Sequence, residues 1–184
     1  MLVESELREG LTREQVGLAQ QDWLDFQSGR SPSSSSQEGS QHLHWDWSAK
    51  ANRFHGLLSY RFYSVECEGQ TQGLMLLYLE HRCQIPSQQG KAALYVDYLA
   101  AAPWNQPALA TDPRFSGVGS VLMAAAVQAS LTEGFQGRMG LHSLPQSEAF
   151  YRNNCSMTDL GPDARKQNLR YFEWTGEAAR EYLK

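Results

Sequence analysis

The stretch Arg114-Phe115-Ser116-Gly117-Val118-Gly119-Ser120 constrains this chain most, because it puts two residues without a Cβ between a segment that reads as a strand and one that reads as a helix. Glycines at these places let the chain turn tightly and let consecutive backbone N–H groups point at one anion. A helix behind them adds its own unpaired N–H groups and the positive end of its dipole. Together they describe a seat for phosphate or pyrophosphate. The flanks agree. Leu94-Tyr95-Val96-Asp97-Tyr98-Leu99 is apolar except for Asp97, as suits a central strand buried on both faces. Val118, Val121, Leu122, Ala125 and Ala129 recur at helical spacing, and Gly134 stands where a C-cap belongs.

Spacing separates the familiar phosphate loops. A dinucleotide fingerprint needs a third glycine, where Leu122 stands, and a P-loop needs lysine after its last glycine, where Ser120 stands. Further on, Gly137 to His142 reads as a short strand and Ser147 to Asn154 as a short helix containing Phe150-Tyr151. This order of strand, Arg-x-x-Gly-x-Gly loop, helix, strand and Phe-Tyr helix resembles the cofactor half of the GNAT acyltransferase superfamily. The likeness covers roughly residues 92–160 well and the rest by order of elements.

The resemblance implies an α/β (α+β) fold: a mixed, mostly antiparallel central sheet flanked by helices and splayed between its fourth and fifth strands, in a single domain over residues 1–184. It implies an N-acetyltransferase that passes the acetyl group of acetyl-CoA to a primary amine on a small molecule or peptide. The amides from Ser116 through Ser120 would hold the pyrophosphate, with Arg114 adding a charge-assisted contact. The backbone around Leu99 and Ala101 would take the pantetheine arm and the thioester oxygen. Tyr151 would protonate the departing thiolate. The base stays open among Asp97, Glu80 and His142: a carboxylate in an apolar strand is costly unless paired or useful, Asp97 equally suits a structural partner such as Arg61, and a histidine is often a satisfied core residue. The alternative reading is a non-catalytic acetyl-CoA-binding regulator acting on a protein partner. Residues 104–113 make a longer connection than is usual and offer an edge of the pocket. Two further departures bear on catalysis: Asn154-Cys155-Ser156-Met157 lacks the glycine expected at the end of the Phe-Tyr helix, and the asparagine often found early in that helix is absent.

Composition narrows the class. A formal charge of −4 offers no basic footprint, which argues against nucleic acid as the primary ligand. The longest strongly apolar run, Leu74 to Leu79, is too short to cross a bilayer, and Glu4, Glu6, Arg8 and Glu9 interrupt any leader, so a cytoplasmic protein is expected. Cys67, Cys83 and Cys155 are widely spaced, which suits reduced, buried residues. His42 and His44 lack a nearby third ligand, so no metal is expected. A homodimer stays open.

In chain order, Thr12-Arg13-Glu14-Gln15 offers a capping box, and Val16, Ala19, Trp23 and Phe26 extend a helix over about 12–27. Residues 28–40 are serine-rich without a large apolar side chain and read as a flexible loop. Trp45 and Trp47 suit a groove wall or a core cap. Tyr60 to Cys67 and Gly73 to Glu80 read as a hairpin around Glu68 to Gln72, Leu160-Gly161-Pro162-Asp163 as a turn, and Asn168 to Thr175 as the last strand.

Overall fold

A computed structural model describes residues 5–29 and 45–184. The serine-rich segment from residue 30 on, with His42 and His44, lies outside the described residues. Seven strands form one mixed sheet in the order β1-β2-β3-β4-β5-β7-β6: β1 (Glu6–Glu9), β2 (Tyr60–Cys67), β3 (Gln70–Arg82), β4 (Ala92–Ala101), β5 (Met139–Ser143), β6 (Thr158–Asp163) and β7 (Leu169–Trp174). Neighbours run antiparallel except β4 and β5, which are parallel with Leu94 opposite Met139, Tyr95 opposite Gly140 and Val96 opposite Leu141. Their pairing ends at Val96, while β4 runs on to Ala101. The helices are α1 (Arg13–Ser28), α2 (Trp47–Phe54), α3 (Val118–Thr132) and α4 (Gly176–Tyr182). Among the described residues, no helix is long and apolar enough to cross a membrane.

The chain divides into two units, the first comprising residues up to Leu76 with Tyr98–Leu122. Here the expected capping box is present: Thr12 accepts from the Gln15 amide, and the Gln15 side chain accepts from that of Thr12. Val16, Ala19 and Trp23, three and four residues apart, give α1 one buried stripe. That stripe joins Trp47 and Ala51 of α2 and Phe62, Leu74, Leu76, Ala100 and Trp104 in one core. The Asp46 carboxylate caps α2 by accepting from the Ala49 amide. The β2–β3 hairpin is tighter than expected. Glu68 and Gly69 both take positive φ, so two residues turn the chain and β3 begins at Gln70 rather than Gly73.

The second unit comprises Leu77–Asp97 and Met123–Lys184. Leu94, Met139, Leu141, Phe172 and Trp174 are buried on one set of strand positions. Leu160 to Asp163 belong to β6 rather than to a turn; the pairing with β7 shifts between Asp159 and Pro162, a bulge that accommodates Gly161 and the proline, and the chain reverses at Ala164–Lys166 instead. The Phe-Tyr segment is no ordinary helix but a π-helical turn, Phe150–Asn154. Ser156 takes φ 51° close behind it, the left-handed conformation that glycine would adopt more easily.

One carboxylate ties this turn to β7. Asp159 accepts from Arg152 Nη2 at 2.7 Å and from Arg170 Nε at 2.9 Å. Burial alone would raise its pKa, but the two guanidinium hydrogen bonds and the Gly161 amide outweigh that and hold the carboxyl at about 2. A folded-state pKa below the usual 3.8 means that the stabilisation is complete above that value and disappears as the pH falls through about 2. Chemical denaturation of Asp159→Asn against the parent should therefore show a stability gap that is constant above pH 4 and closes below pH 3; a gap independent of pH would show that the carboxylate is not ionised in the pair.

Candidate active site

The glycine loop meets α3 as expected, but its strain sits at one residue. Gly117 has φ +80°, and a Cβ there would meet nothing within 4 Å, so glycine is required for its backbone angle rather than for space. Gly119 lies inside α3, and the Val121 N–H donates to the Gly117 carbonyl at 3.0 Å. Val118 and Leu122 of the expected apolar face are buried, whereas Val121 is exposed. Arg114 is exposed and donates from Nη1 to Gln70 Oε1 at 2.7 Å. Ser116 and Gly117 are exposed, while Phe115, Gly119 and Ser120 are half-buried.

What holds the loop was not anticipated. Gln72, on β3 and fully buried, accepts through Oε1 from Trp104 Nε1 at 2.8 Å and from Asn105 Nδ2 at 2.9 Å. The same amide donates to the Cys67 and Gln70 carbonyls. Asn105 Oδ1 then accepts from the Phe115 amide at 3.0 Å, and the Arg114 amide donates to the Trp104 carbonyl at 3.2 Å. The long 104–113 connection is thus anchored at its start by a buried amide network that sets both ends of the loop's first turn. No local signal marks it, since Gln72 closes the polar stretch Glu68 to Gln72 that reads as a turn. Gly73, beside it, has the N-terminus of α3 against its face: a Cβ would come 2.7 Å from Val118 Cγ1 and 3.2 Å from the Ala100 carbonyl.

On β4, Leu99 and Ala101 are half-buried. The Ala102 N–H donates to the Gln72 carbonyl on β3 at 2.8 Å. Strand alternation therefore turns the N–H and C=O of Ala101 and Leu99 to the edge away from β3. There the Ala101 carbonyl accepts from Gln106 Nε2 at 2.6 Å. Gln106 and Pro103 line a shallow pocket with Trp23, Trp45, Trp47 and Gln20. Trp45 packs edge-on to Tyr98 at 4.9 Å, and Lys50 Nζ lies 4.0 Å from the Tyr98 ring centre.

In the second unit, Tyr151 is buried between Phe150 and Phe172, with ring centres at 5.2 and 5.9 Å. Burial pushes its phenol pKa up, so the hydroxyl keeps its proton. No hydrogen bond from that hydroxyl is found among the described residues. Asp97 is half-buried at the end of this unit's part of β4, and Glu80 is exposed, accepting from the Tyr78 hydroxyl at 3.3 Å. His142 is neither isolated nor bland. Its Nδ1 lies 2.8 Å from the Tyr95 hydroxyl, and its Nε2 lies 3.3 Å from Asp163 Oδ2. A carboxylate only accepts, so the ring proton is assigned to Nε2, and Nδ1 accepts from Tyr95. Burial lowers the His142 pKa against the opposing hydrogen bond to Asp163.

A parallel chain lies alongside. Glu173, fully buried, accepts from the Tyr171 hydroxyl, from the Gln84 and Ile85 amides and from Gln88 Nε2, and His81 Nε2 donates to the Tyr171 oxygen at 2.7 Å. Burial lowers the His81 pKa to about 4. Gly140 makes room for this arrangement, since a methyl there would run into the Tyr171 hydroxyl. A charged residue within the aromatic run 171–174 was the sign that the sequence offered. Among the described residues, no cluster of three or more His, Cys, Asp or Glu suits a metal.

No family model matches the sequence, and no curated protein matches it. Solved structures do. A bacterial toxin superposes with a TM-score of 0.64 at 10% identity, over 99% of this chain and 96% of its own. The AtaT mutant toxin bound to acetyl-CoA and the C-terminus of the antitoxin AtaR gives 0.58 at 14% identity, over 97% of both chains. The PaiA N-acetyltransferase of Thermoplasma acidophilum, in complex with coenzyme A, gives 0.53 at 15% identity, over 92% of this chain and 98% of its own.

Gly73→Ala tests the placement of the loop. Overpacking against a β-branched side chain should cost about 1–3 kcal/mol in denaturant unfolding, with Gly17→Ala, whose added Cβ would lie in ordinary contact 3.7 Å from Ser48 Oγ and needs no left-handed backbone, as the control; no loss in Gly73→Ala would mean that Val118 yields freely. With one parallel pair, β4 and β5, that parts after Val96, and with whole-length likeness to acetyltransferase structures, this chain has the GNAT fold.

Proposed function

We propose that this protein is an acetyl-CoA-dependent N-acetyltransferase. The observation that carries the reading is the end of β4: its pairing with β5 stops at Val96, its last residues keep backbone groups on the edge away from β3, and the chain then passes into a glycine turn at the start of α3. An extended arm carrying its own amides can add to such a strand edge, while its pyrophosphate meets the N-terminal turn of the helix. Two of the similar structures, AtaT and PaiA, hold acetyl-CoA or coenzyme A, which supports the same ligand here.

In this reading the amides from Ser116 to Ser120 take the pyrophosphate and Arg114 adds charge from the exposed rim. The Leu99 and Ala101 backbone lines the arm, and the Ala101 N–H polarises the thioester carbonyl. Acetyl-CoA supplies the acyl group. A neutral amine attacks the carbonyl, the C–N bond forms and the C–S bond breaks, the nitrogen loses its extra proton to bulk water, and Tyr151 gives its proton to the departing thiolate and is re-protonated from water. Burial suits Tyr151 to this task by keeping the phenol neutral until a thiolate appears.

Acetyl-CoA at 100 times its Kd should stabilise the parent by about 2–3 kcal/mol in thermal unfolding, and Gly117→Val should abolish the effect, since a branched residue resists positive φ. A full shift in the variant would place the pyrophosphate elsewhere. Tyr151→Phe keeps ring and packing and should lower turnover by roughly 10²–10⁴ with acetyl-CoA affinity unchanged by calorimetry. Parental turnover would remove Tyr151 from the mechanism.

A further inference from the structure

We infer that the shallow pocket of the first unit is a binding site for an uncharged aromatic ring that carries an amide or a similar polar edge. The inference concerns binding alone and stands apart from acetyl transfer. The walls come from α1, from Trp45 and Trp47 at the start of α2, and from the stretch Ala101 to Gln106, all within the first unit. Leu24, the half-buried Trp45 ring and Pro103 give the pocket an apolar side on which a flat ring can pack. Among the described residues that line it, none carries a charge.

The polar groups of the pocket are oriented by their other bonds. Gln20 Oε1 accepts from the Ser48 N–H at 2.7 Å, and Gln106 Nε2 donates to the Ala101 carbonyl at 2.6 Å. A backbone N–H only donates and a carbonyl only accepts, so these contacts settle which end of each amide is nitrogen and which oxygen. Gln20 keeps Nε2 as a donor and Gln106 keeps Oε1 as an acceptor, and neither atom has a partner among the described residues. Trp47 is the sharper observation. The other buried tryptophans all donate from Nε1: Trp23 to the Thr71 carbonyl, Trp104 to Gln72 Oε1 and Trp174 to the Cys155 carbonyl. Trp47 is 2% exposed and lines the pocket, yet its Nε1–H has no acceptor among the described residues. A buried donor left unpaired is costly. A ligand that brings an acceptor to this pocket removes that cost.

Charge and shape narrow the class. An ion entering the pocket would give up water without meeting an opposite charge in the lining, so a neutral ligand is favoured over either ion. A pyranose carries hydroxyls all round its ring and asks for polar partners on every side. A planar ring with one polar edge asks for them on one side and for apolar contact elsewhere, as this lining offers. Donors at Gln20 and Trp47 with an acceptor at Gln106 match an amide, whose oxygen accepts and whose nitrogen donates.

Benzamide, benzoate and benzamidinium test this directly, since they share one size and shape and differ in charge. Proton–nitrogen correlation spectra of the full chain without acetyl-CoA follow the indole N–H signals, that of Trp47 being identified by its loss in Trp47→Phe. Benzamide should shift the Trp47 signal saturably with a Kd on the order of 1 mM, as suits so small a ligand. It should bind at least about tenfold more tightly than either ion. Gln20→Glu keeps the oxygen that accepts from Ser48 and exchanges the donor for an anion, so benzamidinium should become the tightest of the three. Trp47→Phe should weaken benzamide about tenfold, the worth of one hydrogen bond, and unmoved signals from the other tryptophans report that each variant has folded. A Trp47 signal that moves with none of the three, equal affinity for all of them, or an unchanged order in folded Gln20→Glu would overturn the site. Methyl glucoside binding more tightly than benzamide would overturn the aromatic class. With no acyl donor present, the outcome is independent of thiol release: a protein that binds benzamide and acetylates nothing upholds the site while the acetyltransferase reading fails, and one that acetylates amines without binding benzamide does the reverse.

Discussion

Parallel pairing of β4 with β5 is the constraint from which the rest of the architecture follows. Two parallel neighbours cannot be joined by a hairpin, so the chain must leave the end of β4 and return to the start of β5 by a crossover. Here the crossover is the 102–138 segment with α3 as its helix. A helix entered from the C-terminal end of a strand presents its N-terminus near that end, and ligands of open α/β sheets gather outside the carboxyl ends of strands. The glycine loop therefore stands where the connection obliges the chain to bend, and Gly117 supplies the one backbone angle that the bend requires.

Burial of polar groups does the remaining positioning, and it works only because those groups are paired. A buried amide or carboxylate without partners costs several kcal/mol. Gln72 and Glu173 avoid that cost by engaging from both sides. Gln72 uses its oxygen on Trp104 and Asn105 and its nitrogen on two carbonyls, which fixes the start of the crossover. Glu173 uses both oxygens on the 84–88 connection and Tyr171. Each fastens a loop to the sheet by polar contacts.

The division between what could and could not be read from the chain follows from range. The capping box at Thr12, the strand 92–101, the glycine loop and the last strand are local patterns of period and turn chemistry, and they appear where expected. The π-helical turn at Phe150–Asn154 and the bulge in β6 follow no local period; they accompany the grip of Arg152 and Arg170 on Asp159, which joins the turn, β6 and β7. The glycine missing after Tyr151 is a substitution in kind: Ser156 adopts the left-handed conformation itself, at a cost of roughly 1 kcal/mol, so the turn survives. Tyr151 is nominated by resemblance and His142 is one of three open candidates, while the pairing of His142 with Tyr95 and Asp163 joins three separate strands and has no local signature.

Two tyrosines of this fold show why burial alone does not assign a role. Tyr151 and Tyr95 are almost equally buried, at 7% and 8% exposure, and a buried phenol holds its proton more tightly than one in water. A phenol without a protein acceptor can only give that proton to something that arrives, which suits it to meet a leaving group late in a reaction. A phenol already donating to an imidazole has its proton directed by that ring. Tyr151 packs between two phenylalanine rings, while Tyr95 donates to His142, which in turn donates to the Asp163 carboxylate. The same side chain is thereby set in two different surroundings by what lies behind its oxygen.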